Sequence, residues 1–280
     1  MDNWDIIIKP KSKWYEIDFK SLIEYKDLIA LFVRRNFVVQ YKQTLLGPLW
    51  VLITPLLNSI VFTFVFGKFA GLSTDGMPQM LFYISGTVLW SLVSGCVTRI
   101  SNTFVLNLPI YGKVYFPRLV IPISEAISAM FNFLIQFAVV VVLTLYYALF
   151  TNSGVIISLK WLLIPVLMLQ CMILATGVGL MVAALTAKYR DLTYVMGFFV
   201  QLWMYASPVI YPLSSSGGLM RTVLLINPMG PLLENYRYCL FGGGTFYFGS
   251  WVVSVAVSIL ILFLGTVLFE KTARHAVDTL

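Results

Sequence analysis

Few side chains in this sequence have the types and spacing that catalysis needs. His275 is the single histidine, so triads and metal sites built on histidine are not expected. A phosphate-binding loop requires a glycine-rich turn followed by Lys and then Ser or Thr. Glycine precedes Lys68 and Lys113, but Phe69 and Val114 come next, and neither run has the upstream glycine. We therefore expect no enzyme activity, metal site or cofactor in this chain.

Glu125 is the only carboxylate well inside an apolar run. An ionised carboxylate at the centre of a membrane helix costs roughly 2.5 to 3.5 kcal/mol on insertion scales, which makes such a residue a functional candidate. It follows Arg118 by two helical turns, near the end of its run, where a cation or water can reach it. Three roles stay open: a structural or gating salt bridge, a role where substrate enters, and proton-coupled transport.

Membrane helices must position these residues. The chain has 280 residues, of which 59% are hydrophobic and 11% charged, too little polar surface for a soluble globule of this size. Its apolar runs are continuous rather than alternating, which favours helices over a barrel. A hydrocarbon core of about 30 Å needs roughly 20 apolar residues per helix. The runs that satisfy this are residues 49–68, 79–97, 119–150, 161–186, 192–212 and 250–269.

Residues 213–249 differ from these runs. They are rich in Gly, Pro and Ser, yet too apolar for a free loop and too broken for two crossings, so short re-entrant or interfacial helices fit best. We hypothesise that they form an external gate. The predicted gate residues are Pro208, Pro212, Asn227, Pro228, Tyr236 and Arg237.

The predicted fold is an all-α integral membrane protein. It has six transmembrane helices, an amphipathic N-terminal interfacial helix, and the short helices between the fifth and sixth spans. The predicted divisions are a cytoplasmic segment at 1–48, a six-helix domain at 49–270 and a cytoplasmic tail at 271–280. The third span is too long for a straight crossing, so it tilts or extends beyond the membrane.

Lysine and arginine indicate the orientation. Most of the 19 basic residues fall on one side if the amino terminus is cytoplasmic, which predicts that both termini face the cytoplasm. This distribution accounts for the net charge of +7 and points to an anionic membrane surface rather than to nucleic acid.

Residues 20–44 have the pattern of a helix lying along the cytoplasmic membrane face. Leu22, Ile29, Val33 and Phe37 fall on one side. Most of the charged residues fall opposite, and these are Lys20, Glu24, Asp27, Arg34, Arg35 and Lys42. The helix is either a simple membrane anchor or a docking surface whose charged face binds a partner protein. Gly47 and Pro48 then turn the chain into the first span.

Two helical stripes combine aromatic rings with amides. Asn58, Phe62 and Phe66 share a face of the first span, and the fifth span has a matching set, Tyr194, Phe198, Gln201 and Tyr205. Aromatic stripes at helical spacing commonly serve packing. The alternative is a channel surface, because aromatic rings with occasional amides hold sugars weakly. A lipid-facing amide would be unfavourable, so Asn58 and Gln201 discriminate between the two.

Four ordered segments resemble a known family. Residues 34–50 read RRNFVVQYKQTLLGPLW and are followed by Pro55 and Leu56. The later segments are NLPIYGKVYFPR at 107–118, YRD at 189–191 leading to SPVIYP at 207–212, and NPM at 227–229 with YR at 236–237. Together they resemble type-2 ABC exporter permeases of the polysaccharide branch, which export lipid-linked O-antigen, capsule or teichoic acid. The resemblance runs from about residue 25 to residue 270.

The resemblance implies a homodimer in the bacterial inner membrane, bound to two copies of a separate ABC ATPase that holds ATP and Mg. It implies export of a lipid-linked polysaccharide from the cytoplasmic side, and it favours the channel interpretation of the two stripes. It also implies that the interfacial helix and the loop after the second span contact the ATPase, although that loop also suits an ordinary membrane interface. The predicted ATPase-interface residues are Arg34, Arg35, Tyr41, Lys42, Gln43, Tyr111, Gly112, Lys113, Tyr115, Phe116, Arg118, Arg190 and Asp191.

Other functions compete with this one. A permease for a drug or small lipid would share the architecture. A membrane enzyme acting on lipid-linked sugars predicts clustered acids or histidines at one membrane face, and the sequence has none. A scaffold or receptor predicts a sizeable domain outside the membrane, for which the outer segments are too short.

Overall fold

The computed structural model describes residues 19–42, 44–111, 114, 116–151 and 154–278. These residues form helices and connecting turns, without a β-strand among them. The α-helices are α1 (Phe19–Glu24), α2 (Lys26–Tyr41), α3 (Leu49–Phe62), α4 (Gln79–Ser101), α5 (Thr103–Tyr111), α6 (Val120–Phe150), α7 (Ile164–Lys188), α8 (Leu192–Tyr205), α9 (Gly218–Ile226), α10 (Met229–Phe241) and α11 (Phe248–Asp278). A π-helix continues α3 over Thr63–Phe69, and 3₁₀ helices cover Leu159–Leu163 and Leu213–Ser215.

Five helical segments of the described chain are long and apolar enough to cross a membrane. They are Leu49–Phe69, Gln79–Ser101, Val120–Phe150, Leu159–Lys188 and Phe248–Ala273. This confirms the all-helical membrane class and five of the predicted spans, with boundaries close to those expected from hydropathy. At 31 residues, α6 is about 46 Å long, which exceeds the hydrocarbon core as its sequence predicts.

The predicted fifth span is shorter than expected. α8 ends at Tyr205 after 14 residues, about 21 Å, so the count of six spans stays a prediction. Pro208 disfavours helical geometry at the residue before it, Ser207. The Ser207 hydroxyl donates to the Trp203 carbonyl at 2.8 Å, and the chain leaves the helix in a series of turns.

α4 and α10 lie at the centre of the protein. Both are buried along nearly their whole length, and α4 packs against α3, α6, α7 and α8. α10 has 13 residues, about 20 Å, too short to cross a membrane, and it lies among α4, α7, α9 and α11. A short helix enclosed by protein satisfies its polar backbone without facing lipid, as the re-entrant interpretation requires.

Glycines bring the long helices together within one chain. A Cβ on Gly177 of α7 would lie 2.6 Å from the backbone nitrogen of Leu262 on α11. A Cβ on Gly179 would lie 2.8 Å from the Ile100 side chain on α4. Gly177 and Gly179 therefore serve packing inside the subunit.

The N-terminal segment differs from its prediction in two ways. It forms two helices separated at Tyr25 instead of one helix over 20–44, and α2 ends at Tyr41. The side that packs on the rest of the chain is centred on Phe32, whereas Phe37 of the predicted apolar face is 41% exposed. The reason is that α2 packs against α6, and the position of α6 decides which side of α2 becomes buried.

Candidate functional site

Polar side chains make part of the contact between α2 and the bundle. The Asn36 side-chain amide donates to Glu125 at 2.8 Å and to the hydroxyl of Ser128 at 3.3 Å, both on α6. Glu125 also pairs with Arg99, in the last turn of α4, with an N–O distance of 3.6 Å. Glu125 therefore forms a salt bridge, and the cation that reaches it is Arg99.

A second set of hydrogen bonds lies one turn further along α2. Arg99 donates to the side-chain oxygen of Gln40 at 2.7 Å, and Asn132 of α6 donates to the same oxygen at 3.2 Å. The Tyr41 hydroxyl donates to Asn132 at 2.7 Å. Burial raises the pKa of the Tyr41 hydroxyl, with Arg99 opposing the shift, so it remains a donor at neutral pH. We call Asn36, Gln40, Tyr41, Arg99, Glu125, Ser128 and Asn132 the polar joint.

A cavity of about 400 Å³ opens beside the polar joint. Residues of α3, α4 and α6 contribute to its walls, and its lining includes Trp50, Thr54, Ser91, Arg99, Asn132 and Gln136. Gly47, at the turn between α2 and α3, has a φ of +53°, a conformation that glycine adopts without strain.

The predicted ATPase-interface residues divide into exposed and packed groups. Arg34, Lys42, Arg190 and Asp191 are exposed. Four others, Gln43, Gly112, Lys113 and Tyr115, lie outside the described residues. Leu31 is 59% exposed and lies on the same outward side of α2 as Arg34, so this side mixes charge with apolar surface.

The packed members tie the loop after α4 to α2. Phe116 is buried, and its ring lies 6.1 Å from Phe32 and 5.7 Å from Tyr111, between centroids. The Tyr111 hydroxyl donates to the backbone oxygen of Arg118 at 3.2 Å. Arg35 is partly buried, with its guanidinium 4.6 Å from the centre of the Phe32 ring. These residues hold the two predicted docking surfaces together instead of presenting themselves to solvent.

The predicted channel residues are mostly exposed on the isolated chain. Tyr194 is 89% exposed and Phe198 63%, while Gln201 and Asn58 are exposed as well. Tyr205 is 44% exposed. The other two members of the α3 stripe face inward.

Phe62 lies 5.4 Å from Phe66 and 6.3 Å from Tyr83 of α4, between ring centroids. The stripe predicted on the first span is therefore divided between packing and surface. The two discriminating amides, Asn58 and Gln201, both lie on the surface.

Arg237 organises the end of the bundle opposite the polar joint. It is fully buried on α10 and donates to the backbone oxygens of Pro208 at 2.7 Å and Val209 at 2.8 Å. Its guanidinium lies 3.6 Å from the centre of the Phe82 ring and 3.7 Å from the Glu234 carboxylate. Arg237 therefore holds the turns after α8 against α4 and α10.

Asn227 and Glu234 complete the same region. The Asn227 amide donates to the Ala206 carbonyl at 2.9 Å, and its oxygen accepts from the Met229 N–H at 3.1 Å. Glu234 accepts from the Leu213 N–H at 3.0 Å.

The other predicted gate residues are packed around these contacts. Pro212 and Tyr236 are buried, and the Pro228 carbonyl accepts from Ser254 of α11 at 2.6 Å. The predicted gate residues thus form one well-packed hub, and whether it moves stays a prediction.

Sequence reasoning missed several of these residues. Arg99, Asn132, Gln136 and Glu234 are not among the residues that the sequence patterns single out. The available signal was polarity: each lies in or beside an apolar helix, where an unpaired polar side chain is unfavourable.

Comparison with known proteins gives the family. The model of the family described as ABC-2 type transporter matches residues 27–241. The O-antigen export system permease protein RfbA of Klebsiella pneumoniae is 26% identical over 246 residues, covering 88% of this chain and 92% of that protein. The protein of the same name from Myxococcus xanthus is 24% identical, with coverages of 93% and 98%.

A third relative comes from capsule export. The capsule polysaccharide export inner-membrane protein CtrC of Neisseria meningitidis is 24% identical, covering 91% of this chain and 94% of that protein. The matches extend over nearly the full length of both partners. This chain belongs to the ABC-2 type transporter family.

Proposed function

We propose that this protein is the membrane-spanning subunit of an ATP-driven exporter that moves a lipid-linked polysaccharide out of the cytoplasm across the bacterial inner membrane. The observation that carries the proposal is the exposure of the amides of Asn58 and Gln201 on apolar helices. A relationship to three polysaccharide export permeases over almost the whole chain supports the cargo class.

The exposed amides argue for a second copy of the chain. An amide facing hydrocarbon loses its hydrogen bonds to water and gains none in return. Pairing two copies so that α3 and α8 of each face a shared passage would put Asn58 and Gln201 beside water and sugar hydroxyls. The rings of Tyr194 and Phe198 would then offer flat surfaces to sugar rings without gripping them.

ATP hydrolysis is assigned to a separate ABC ATPase, two copies of which would bind the dimer and hold ATP and Mg. The docking surface is the outward side of α2 with Arg34, together with the loop after α4 and the exposed pair Arg190 and Asp191. The aromatic contacts of Phe116 with Phe32 and Tyr111 support one combined surface. The excess of basic residues near it supports a cytoplasmic position for this end of the bundle and for both termini.

The hub around Arg237 would then face outward, as an external gate. A permease for a drug or small lipid would use the same architecture and is separated only by its cargo. The enzyme alternative needs clustered acids or histidines, and the described residues contain no group of three or more His, Cys, Asp or Glu side chains close enough to hold a metal.

The test is reconstitution of this chain with the ABC ATPase encoded next to it, in liposomes carrying a polyprenyl-linked polysaccharide. We expect ATP-dependent transfer of the polymer. Gln201→Leu should slow transfer without reducing co-purification, while Ile60→Leu, an exposed apolar change on α3, should have little effect. Transfer of small amphiphiles but not of polymer would favour the drug or lipid permease, and failure of any ATPase to bind would reject the exporter.

Reversing single charges tests the proposed docking surface on α2. Arg34→Glu should weaken co-purification with the ATPase, because it reverses an exposed charge on α2. Arg221→Glu reverses an equally exposed charge on α9 and should leave binding unchanged. Equal losses for both variants would reject α2 as the docking surface.

A further inference from the structure

The polar joint is the main polar attachment of α2 to the bundle among the described residues. Three of its members lie on α2, three on α6, and Arg99 alone belongs to α4. Arg99 bonds both to Gln40 of α2 and to Glu125 of α6, so one side chain connects the three helices.

The pair lies at a depth where charges interact strongly. The side chains of Arg99 and Glu125 are 27% and 14% exposed. Removing one partner would leave the other charge partly buried without compensation, which is far more unfavourable than losing an exposed pair.

Polar contacts also fix position in a way that apolar contacts do not. An apolar side such as that around Phe32 tolerates rotation and sliding, since dispersion is not directional. Hydrogen bonds from Asn36 to Glu125 and from Tyr41 to Asn132 are satisfied in only one register of α2 on α6. Buried polar groups that specify register are a known use of such costly contacts.

The route from α2 to α3 is different. It runs through the turn at Gly47, beside the cavity, and α3 is joined to α4 and α6 by contacts of its own, among them the hydrogen bond from Gln136 to Val51. A movement of α2 that bypassed the polar joint would therefore reach α4 and α6 only through α3.

We propose that Arg99 and Glu125 are positioning residues that make α2, α4 and α6 one mechanical unit, so that a displacement imposed on α2 moves both spans. This rests on the proposed function, in which an ATPase acts on α2. The ion pair is then the element that passes the movement of α2 on to α4 and α6.

The first measurement needs no ATPase. Amide hydrogen exchange of α2 is compared in the purified permease for the wild type, Arg99→Gln and Glu125→Gln, with Lys188→Gln as the control for loss of an exposed cation at the same end. We expect α2 exchange to rise by about tenfold in the two pair variants and not in the control. Unchanged exchange in both pair variants would overturn the proposal.

The second measurement uses the complex with its ATPase. We expect both pair variants to keep ATPase binding and ATP turnover while export per ATP hydrolysed falls about fivefold or more, the range typical of coupling between sites. Equal loss of turnover and export would indicate a general structural role and would overturn the proposal.

Exchanging the charges provides the decisive control. The neighbours of the pair are the amides of Asn36 and Gln40, and an amide can turn to present either donor or acceptor. Arg99→Glu combined with Glu125→Arg should therefore recover part of the lost coupling. Recovery is incomplete because the turned amides lose the bonds from Asn132 to Gln40 and from Arg35 to Asn36, and because the last turn of α4 favours a cation. A double variant as impaired as the single variants contradicts the proposal.

The hydrogen-exchange and export measurements together distinguish failure of the proposed function from failure of the positioning role. If the wild-type complex carries out no ATP-dependent export, the proposed function fails, and hydrogen exchange still decides whether the ion pair holds α2. If export occurs but the pair variants behave like Lys188→Gln in both measurements, the positioning role alone is rejected.

Discussion

The side-chain amide of Gln136 donates to the backbone oxygen of Val51 at 3.0 Å. In a regular helix this oxygen would accept from the residue four positions later, but that residue is Pro55, which has no N–H. Gln136 of α6 thus supplies the donor that the proline of α3 lacks. Its side-chain oxygen accepts from Ser91, so one glutamine connects α3 and α4 to α6.

This relationship predicts non-additive substitutions. Gln136→Leu should lower the free energy of unfolding by about 1 to 2 kcal/mol, because the Val51 oxygen loses its partner in an apolar setting. In a Pro55→Ala background the same change should be less destabilising, since the introduced alanine supplies a backbone donor. Denaturant unfolding of the four proteins of the cycle measures this, and strict additivity would contradict it.

The close packing around Gly86 predicts that a larger side chain there clashes with the hub around Arg237. A Cβ there would lie 2.6 Å from the Arg237 guanidinium and 2.9 Å from the Val209 oxygen. Gly86→Ala should lower the free energy of unfolding by about 1 to 3 kcal/mol, the range for overpacked cores. Gly95→Ala on the same helix meets nothing within 4 Å and serves as the matched control. Thermal unfolding that ranks the two equally would disprove the steric argument.

The ion pair of Arg237 and Glu234 predicts that a second substitution restores part of the stability lost by the first. Arg237→Met should destabilise the protein by about 3 to 5 kcal/mol, because it leaves the Glu234 carboxylate buried without its cation. Adding Glu234→Gln removes the stranded charge and should recover part of the loss. The measurement is the unfolding midpoint in detergent for the single and double variants. No recovery in the double variant would mean that the backbone bonds of Arg237, rather than its charge, dominate.

The close contact at Gly177 predicts that a larger side chain there pushes α7 and α11 apart. Gly177→Ala should destabilise the fold by about 1 to 3 kcal/mol, because the added methyl meets the Leu262 backbone, which cannot rotate away. Gly197→Ala on α8 meets nothing within 4 Å and should have little effect on stability. Thermal unfolding of both variants is the check, and a smaller loss for Gly177→Ala than for Gly197→Ala would contradict the packing.

Hydropathy predicted the class of the protein and the positions of five spans. The length and polarity of a run are local properties, and a hydrocarbon core of about 30 Å imposes the same requirement on every span. The same reasoning overestimated the fifth span, because Pro208 lies inside a run that stays mostly apolar on both sides of it. The turns around Pro208 end α8 at Tyr205, although the residues that follow are still mostly apolar.

Tertiary structure governs which polar residues meet. Asn36 and Glu125 are 89 positions apart, and Gln136 and Val51 are 85 apart. Helical periodicity places each residue on a side of its own helix but gives no information about the rotation of one helix against another. The salt bridge of Glu125 could therefore be suggested from sequence, while its partner Arg99 could not.

The order of the amino acids is enough to establish a helical membrane protein with family motifs and without the phosphate-binding loop of an ATPase. The packed helices were needed to show that Phe32, not Phe37, faces the bundle, that Arg237 is fully buried, and that Asn58 and Gln201 remain on the surface. The physical reason is that membrane insertion depends on the summed polarity of a segment. Which side chains contact each other depends on the position and rotation of helices that are distant in the chain.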